Sequence, residues 1–155
     1  MEETRGRWLK TMAERIVCEI ASNMSGVHLS TAVTRELSDN DKPLAGVYAR
    51  VGGDYTFQVQ FLAEENLFVR LAKNLMGDDL TPEDVQDYAV EFFNTLCGRF
   101  ISEIINETHI KARLLSIRYE LPPLKEAISE ETEESVAFTS EMNEYAVFAW
   151  ASLPV

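Results

Sequence analysis

Basic residues are few. Fourteen Lys and Arg stand against 26 Asp and Glu, a net charge of -12, and a chain so charged repels nucleic-acid phosphates and anionic membrane surfaces. Long apolar runs are missing too. None approaches the ~20 residues needed to cross a bilayer, and the start MEETRGRWLK lacks the apolar stretch of a secretion signal. The expected location is therefore cytoplasmic, with no nucleic-acid or membrane partner. Two cysteines, Cys18 and Cys97, each among apolar residues, read as small buried side chains in a reducing compartment. His28 and His109 have no Cys or His at ligand spacing, so no metal site is expected. A Gly-x-x-x-x-Gly-Lys phosphate loop and a nucleophile motif are both absent.

What is present is ordinary globular material, 46% apolar and 26% charged, without a Pro, Gly or Ser tract that could act as a linker. A single domain spanning 1–155 is expected, large enough to bury roughly two-thirds of its unfolded surface. No internal repeat of useful length is visible. Trp8, Met12, Ile16, Ile20 and Met24 recur at helical spacing, predicting a helix over 4–24 that ends within Asn23 to Gly26. Strands are expected over 27–37, 44–51 and 55–63, the last two as a hairpin across Gly52-Gly53-Asp54. A second helix over 64–76 meets Gly77, placed for a left-handed cap. Thr81-Pro82-Glu83-Asp84 then opens a long third helix running to Thr108, with a Thr cap, Pro at the first position and acids against the helix dipole. A strand over 112–121 should stop at Pro122-Pro123. The acidic stretch 126–134 reads as a loop, and 135–139 with 145–152 as a closing hairpin. Trp8 and Trp150 should cover the core near the two ends. The order α-β-β-β-α-α-β-β-β gives an α+β fold, three helices on an antiparallel sheet.

At about 100° per residue, Asp87, Glu91, Asn94 and Gly98 share a stripe roughly 60° wide on the third helix. Val85, Tyr88, Phe92, Phe93, Leu96, Phe100 and Ile104 lie opposite. An ordinary amphipathic helix also carries acids near its start, which accounts for Asp84 and Asp87. It accounts less well for Asn94, a weaker helix former than Gln or Lys, and for Gly98, which costs roughly 1 kcal/mol relative to Ala. Two locally unfavourable choices on one stripe point to a face built for contact.

Leu71-Ala72-Lys73-Asn74-Leu75-Met76-Gly77 followed by Glu91-Phe92-Phe93-Asn94-Thr95-Leu96-Cys97-Gly98 resembles the CheX branch of the CheC/CheX/FliY chemotaxis phosphatases. That family's signature is a Glu followed three residues later by an Asn on a long helix, often with an acidic or Ser residue four before the Glu. Asp87, Glu91 and Asn94 meet it. The resemblance implies a CheC-like/CheX-like fold that hydrolyses the aspartyl phosphate of a CheY-type response regulator. The receiver would bring the phosphoryl group and its own Mg²⁺, and this chain no cofactor. Asn94 would orient the attacking water, Glu91 would pair with a receiver lysine, and Asp87 and Gly98 would serve docking. Such proteins also pair through strands as homodimers.

Two features depart from the pattern. Residues 1–24 hold Glu14, Glu19 and Asn23 but no second Glu-x-x-Asn, which favours the single-site CheX type over the two-site CheC type. Phe92 and Phe93 stand where the family has small or aliphatic residues, and periodicity turns both inward. Two other readings use the same helix face: a non-catalytic adaptor that binds a response regulator, and a dimeric scaffold.

Overall fold

The computed structural model describes residues 2–32, 44–54, 56–120 and 133–152. Its elements run α1 (Glu2–Ser25), β1 (Leu29–Ala32), β2 (Leu44–Gly53), β3 (Phe57–Glu64), α2 (Glu65–Met76), α3 (Pro82–Thr108), β4 (Ala112–Glu120), β5 (Glu133–Ser140) and β6 (Tyr145–Ser152). The expected α+β order is the observed one. Glu133 and Glu134 belong to a strand, not to the loop expected there. The extension of the first strand to Leu37, the Pro122-Pro123 stop, Tyr55 and residues 126–132 fall outside the described residues.

All six strands form one antiparallel sheet in the order β1-β5-β6-β3-β2-β4. Alternation along the strands sends one set of side chains to the helices. Tyr119, Val47, Phe61, Phe148 and Val136 line up across five strands and join the core that holds the buried sides of α1, α2 and α3. Phe61 is its hub, edge-on to Phe68 of α2 at 5.8 Å and to Phe92 of α3 at 5.6 Å between ring centres. The other face of the sheet carries a smaller apolar cluster with Leu44, Tyr145 and Val147.

Exchanging β1 with β4, β2 with β5 and β3 with β6 turns the strand order into its own reverse. The chain is thus two copies of an α-β-β-β unit, α1 to β3 and α3 to β6, about a pseudo-two-fold axis between β3 and β6, with α2 joining them. No repeat is legible in the sequence, because the two units share burial pattern and not residue identity.

Gly26 ends α1 at φ 64°, where its N–H and that of Val27 donate back to Ser22 and Ala21. Gly77 ends α2 differently from the expected left-handed cap. At φ 97° and ψ −175° it is extended on the positive side, a conformation open to Gly that turns the chain directly toward α3. Gly53 lies where β2 passes the start of β4, and a Cβ there would overlap the Lys111 carbonyl.

Candidate active site on the third helix

α3 begins as its sequence dictates. Thr81 caps it, its Oγ1 accepting from the Asp84 N–H at 3.1 Å, while Asp84 Oδ2 accepts from the Thr81 N–H at 3.0 Å. This reciprocal pair satisfies two otherwise orphaned donors and commits Asp84 to a structural task. The helix then runs for 27 residues.

Its rotation is fixed by rings. Phe92 and Phe93 are fully buried, as are Leu96 and Cys97, and Phe100 packs edge-on against Phe148 at 5.2 Å. Phe92 and Phe93 therefore point into the core, as periodicity predicts, and Glu91 and Asn94 flank them on the outside. Asp87, Glu91, Asn94 and Gly98 are all exposed. No side chain of Asp87, Glu91 or Asn94 has a hydrogen-bond or ion-pair partner among the described residues. A Cβ built on Gly98 would meet nothing within 4 Å. Internal packing therefore gives no reason for glycine at that position, and the missing side chain leaves the stripe flat.

Contacts distant in sequence also hold α3. Tyr88, between Asp87 and Glu91, shares a buried hydrogen bond of 2.6 Å with the Ser25 hydroxyl. Asn74 Nδ2 donates to the Ser25 carbonyl at 2.9 Å. The ends of α1 and α2 thus meet on α3 beside the stripe. Burial raises the Tyr88 pKa above that of a free phenol, although the bond to Ser25 acts the other way. Further along, Arg15 of α1 bonds Glu103 at 2.5 Å and Arg99 of α3 bonds Glu19 at 3.1 Å. Arg99, one residue after Gly98, is in this way engaged toward α1. Sequence reading misses both networks, since their partners lie 49 and more positions apart. The signal that was available is an Arg-x-x-x-Glu spacing repeated at 15/19 and 99/103.

The cysteines supply no nucleophile. Burial pushes the Cys97 thiol well above its ordinary pKa. Cys18, only partly buried and 3.2 Å from the Leu29 carbonyl, is also raised, by burial and then by Glu14 and Glu19. Both remain protonated thiols near neutrality. Among the described residues no group of three or more His, Cys, Asp or Glu could hold a metal ion, and no helix is long and apolar enough to cross a membrane.

α3 thus carries an exposed Glu and Asn one turn apart, set against buried rings, with an exposed glycine one turn further on. Residues 46–138, which include the whole stripe, match the family model described as chemotaxis phosphatase CheX. The chain belongs to the CheX family. Solved structures share its fold. A CheX from Desulfovibrio desulfuricans superposes with a TM-score of 0.77 at 13% identity, over 94% of this chain and 99% of that one. A CheX from Vibrio vulnificus gives 0.75 at 15% identity, over 94% and 99%. The Borrelia burgdorferi chain solved as a CheX-CheY-BeF3-Mg complex gives 0.68 at 11% identity, over 93% and 97%. No curated protein matches the chain in sequence.

Proposed function

We propose that the stripe on α3 does the work of this chemotaxis phosphatase, with Asn94 and Glu91 in separate roles. The activity is hydrolysis of the aspartyl phosphate on a CheY-type response regulator. Phosphoryl transfer needs positioning and charge stabilisation more than covalent help, so one amide that holds water in line with phosphorus is a sufficient catalytic group. Asn94 supplies it: its carbonyl oxygen would accept a hydrogen bond from the water that attacks phosphorus as the bond to the receiver's aspartate oxygen breaks, giving inorganic phosphate and the free aspartate, while the receiver's Mg²⁺ would neutralise charge on the phosphoryl oxygens. Glu91, one turn away, accepts a charge-assisted hydrogen bond from a receiver lysine and fixes the docked geometry. Asp87 extends that acidic edge. Gly98 lets the partner's backbone approach.

The supporting observation is that Asp87, Glu91 and Asn94 are exposed together and have no partner within the described residues. The experiment adds the protein to phosphorylated CheY-type receivers from its own genome and follows phosphate release. Release well above each receiver's autodephosphorylation rate is expected. Rates equal to autodephosphorylation across all of them would overturn the proposal and favour a binding-only adaptor.

We also propose a homodimer formed through strands. β4, nine residues long, ends the sheet order on its side, and an edge strand is a surface that templates strand addition. Since α3 presents its stripe on the helical layer, both sites would stay open. A solution mass of twice 17.6 kDa is expected, and a monomer at micromolar concentration would refute the pairing.

A further inference from the structure

The pseudo-two-fold places α1 where α3 stands in the other unit, and two observations fix the residue correspondence. The ion pairs are one: Arg15 to Glu103 and Arg99 to Glu19 exchange with each other when residue 15 is matched to 99 and 19 to 103. The apolar sides are the other. With the same offset Met12, Ile16 and Ile20 fall on Leu96, Phe100 and Ile104, all buried. The positions matching Glu91, Asn94 and Gly98 are then Arg7, Lys10 and Glu14. Arg7 and Lys10 are exposed, as their counterparts are, and Glu14 is half-buried. Neither cation has an ion-pair partner among the described residues.

We infer that α1 presents a charge-reversed counterpart of the α3 site, in which Arg7 and Lys10 exclude a receiver and limit each chain to one. This rests on the reading of Glu91 and Asn94 given above. A carboxylate that accepts from a receiver lysine is replaced by a guanidinium that repels it. The amide that could orient water is replaced by an ammonium that only donates. Glu14 adds a side chain where Gly98 leaves open space. The scaffold is otherwise the same, a long helix held by buried side chains on the same sheet, so the difference lies in two exposed positions and the half-buried Glu14.

The test measures binding stoichiometry by calorimetry, with each CheY-type receiver of the source genome activated by beryllofluoride and Mg²⁺. The parent should bind one receiver per chain, lost with Glu91→Ala. The variant Arg7→Glu, Lys10→Asn, Glu14→Gly should bind two, and keep one when Glu91→Ala is added. Because glycine weakens a helix, Arg7→Glu with Lys10→Asn alone serves as a second variant, and unchanged helical circular dichroism certifies both. A parent that binds two receivers, or folded variants that still bind one and lose it with Glu91→Ala, would overturn the inference while leaving the α3 reading intact. A parent that binds none would overturn both.

Discussion

α1 and α3 are built alike on the inside and differently on the outside. Both bury apolar residues at the same helical positions against one sheet, and they lie antiparallel with crossed Arg–Glu pairs between them. Outside, α3 carries Glu91, Asn94 and Gly98 where α1 carries Arg7, Lys10 and Glu14. The fold therefore provides two equivalent platforms that differ in side chains which packing of the core does not dictate.

The difference in anchoring predicts the largest effect. Phe92 is fully buried between Phe61 and Tyr88, while its counterpart Trp8 is only partly buried. Phe92→Ala should destabilise by about 3–5 kcal/mol, and Trp8→Ala by clearly less. Denaturant midpoints at constant slope measure both, and equal losses would break the asymmetry.

The exposed faces should differ in binding. Glu91→Ala should weaken binding of the activated receiver by about 1.5–3 kcal/mol, roughly 10- to 150-fold in Kd. Arg7→Ala should leave the affinity at α3 unchanged. A comparable loss from Arg7→Ala would mean that the receiver spans both helices.

Shared contacts between the helices should count for little. The side chains of Arg15 and Arg99 are 45% and 40% exposed, so replacing either by Ala should change stability by at most about 1 kcal/mol, less at high salt. A double-mutant cycle with Glu103 or Glu19 measures the coupling directly.

Much of the fold was legible because buried residues repeat at 3.6 or 2 positions, and Thr81-Pro82 with Asp84 states where α3 begins. The stripe was legible for the same reason, since Phe92 and Phe93 at the core fix where Glu91 and Asn94 point. Roles were not in the periodicity; they came with the family resemblance. The two-fold relation of the halves stayed hidden, because Met12 and Leu96 or Ile16 and Phe100 satisfy one burial requirement with different residues. Contacts such as Ser25 with Tyr88, or Arg70 with Glu141 and Glu144, needed the chain's path in space.

The last of these gives the smallest expected effect, far from either helix face. Partial burial works against ionisation of Glu141, but hydrogen bonds from its own backbone N–H, from Arg70 and from the His28 N–H outweigh it and hold its pKa below the usual carboxylate value. Its folded-state pKa is depressed, so its contribution is present above the ordinary carboxylate range and fades as pH falls through the lowered value. Parent and Glu141→Gln should therefore differ slightly in stability near neutrality and converge in acid. A gap that widens in acid would contradict the sign.

The division of labour on α3 is tested most directly by Asn94→Ala, with phosphate release and receiver affinity measured on the same preparation. The expected result is hydrolysis slowed by about a hundredfold, the scale of losing a positioned reactant, with the Kd for the beryllofluoride-activated receiver within about twofold of the parent. Unchanged hydrolysis would contradict the assignment of water to Asn94, and affinity lost in parallel with rate would make that residue a docking contact instead.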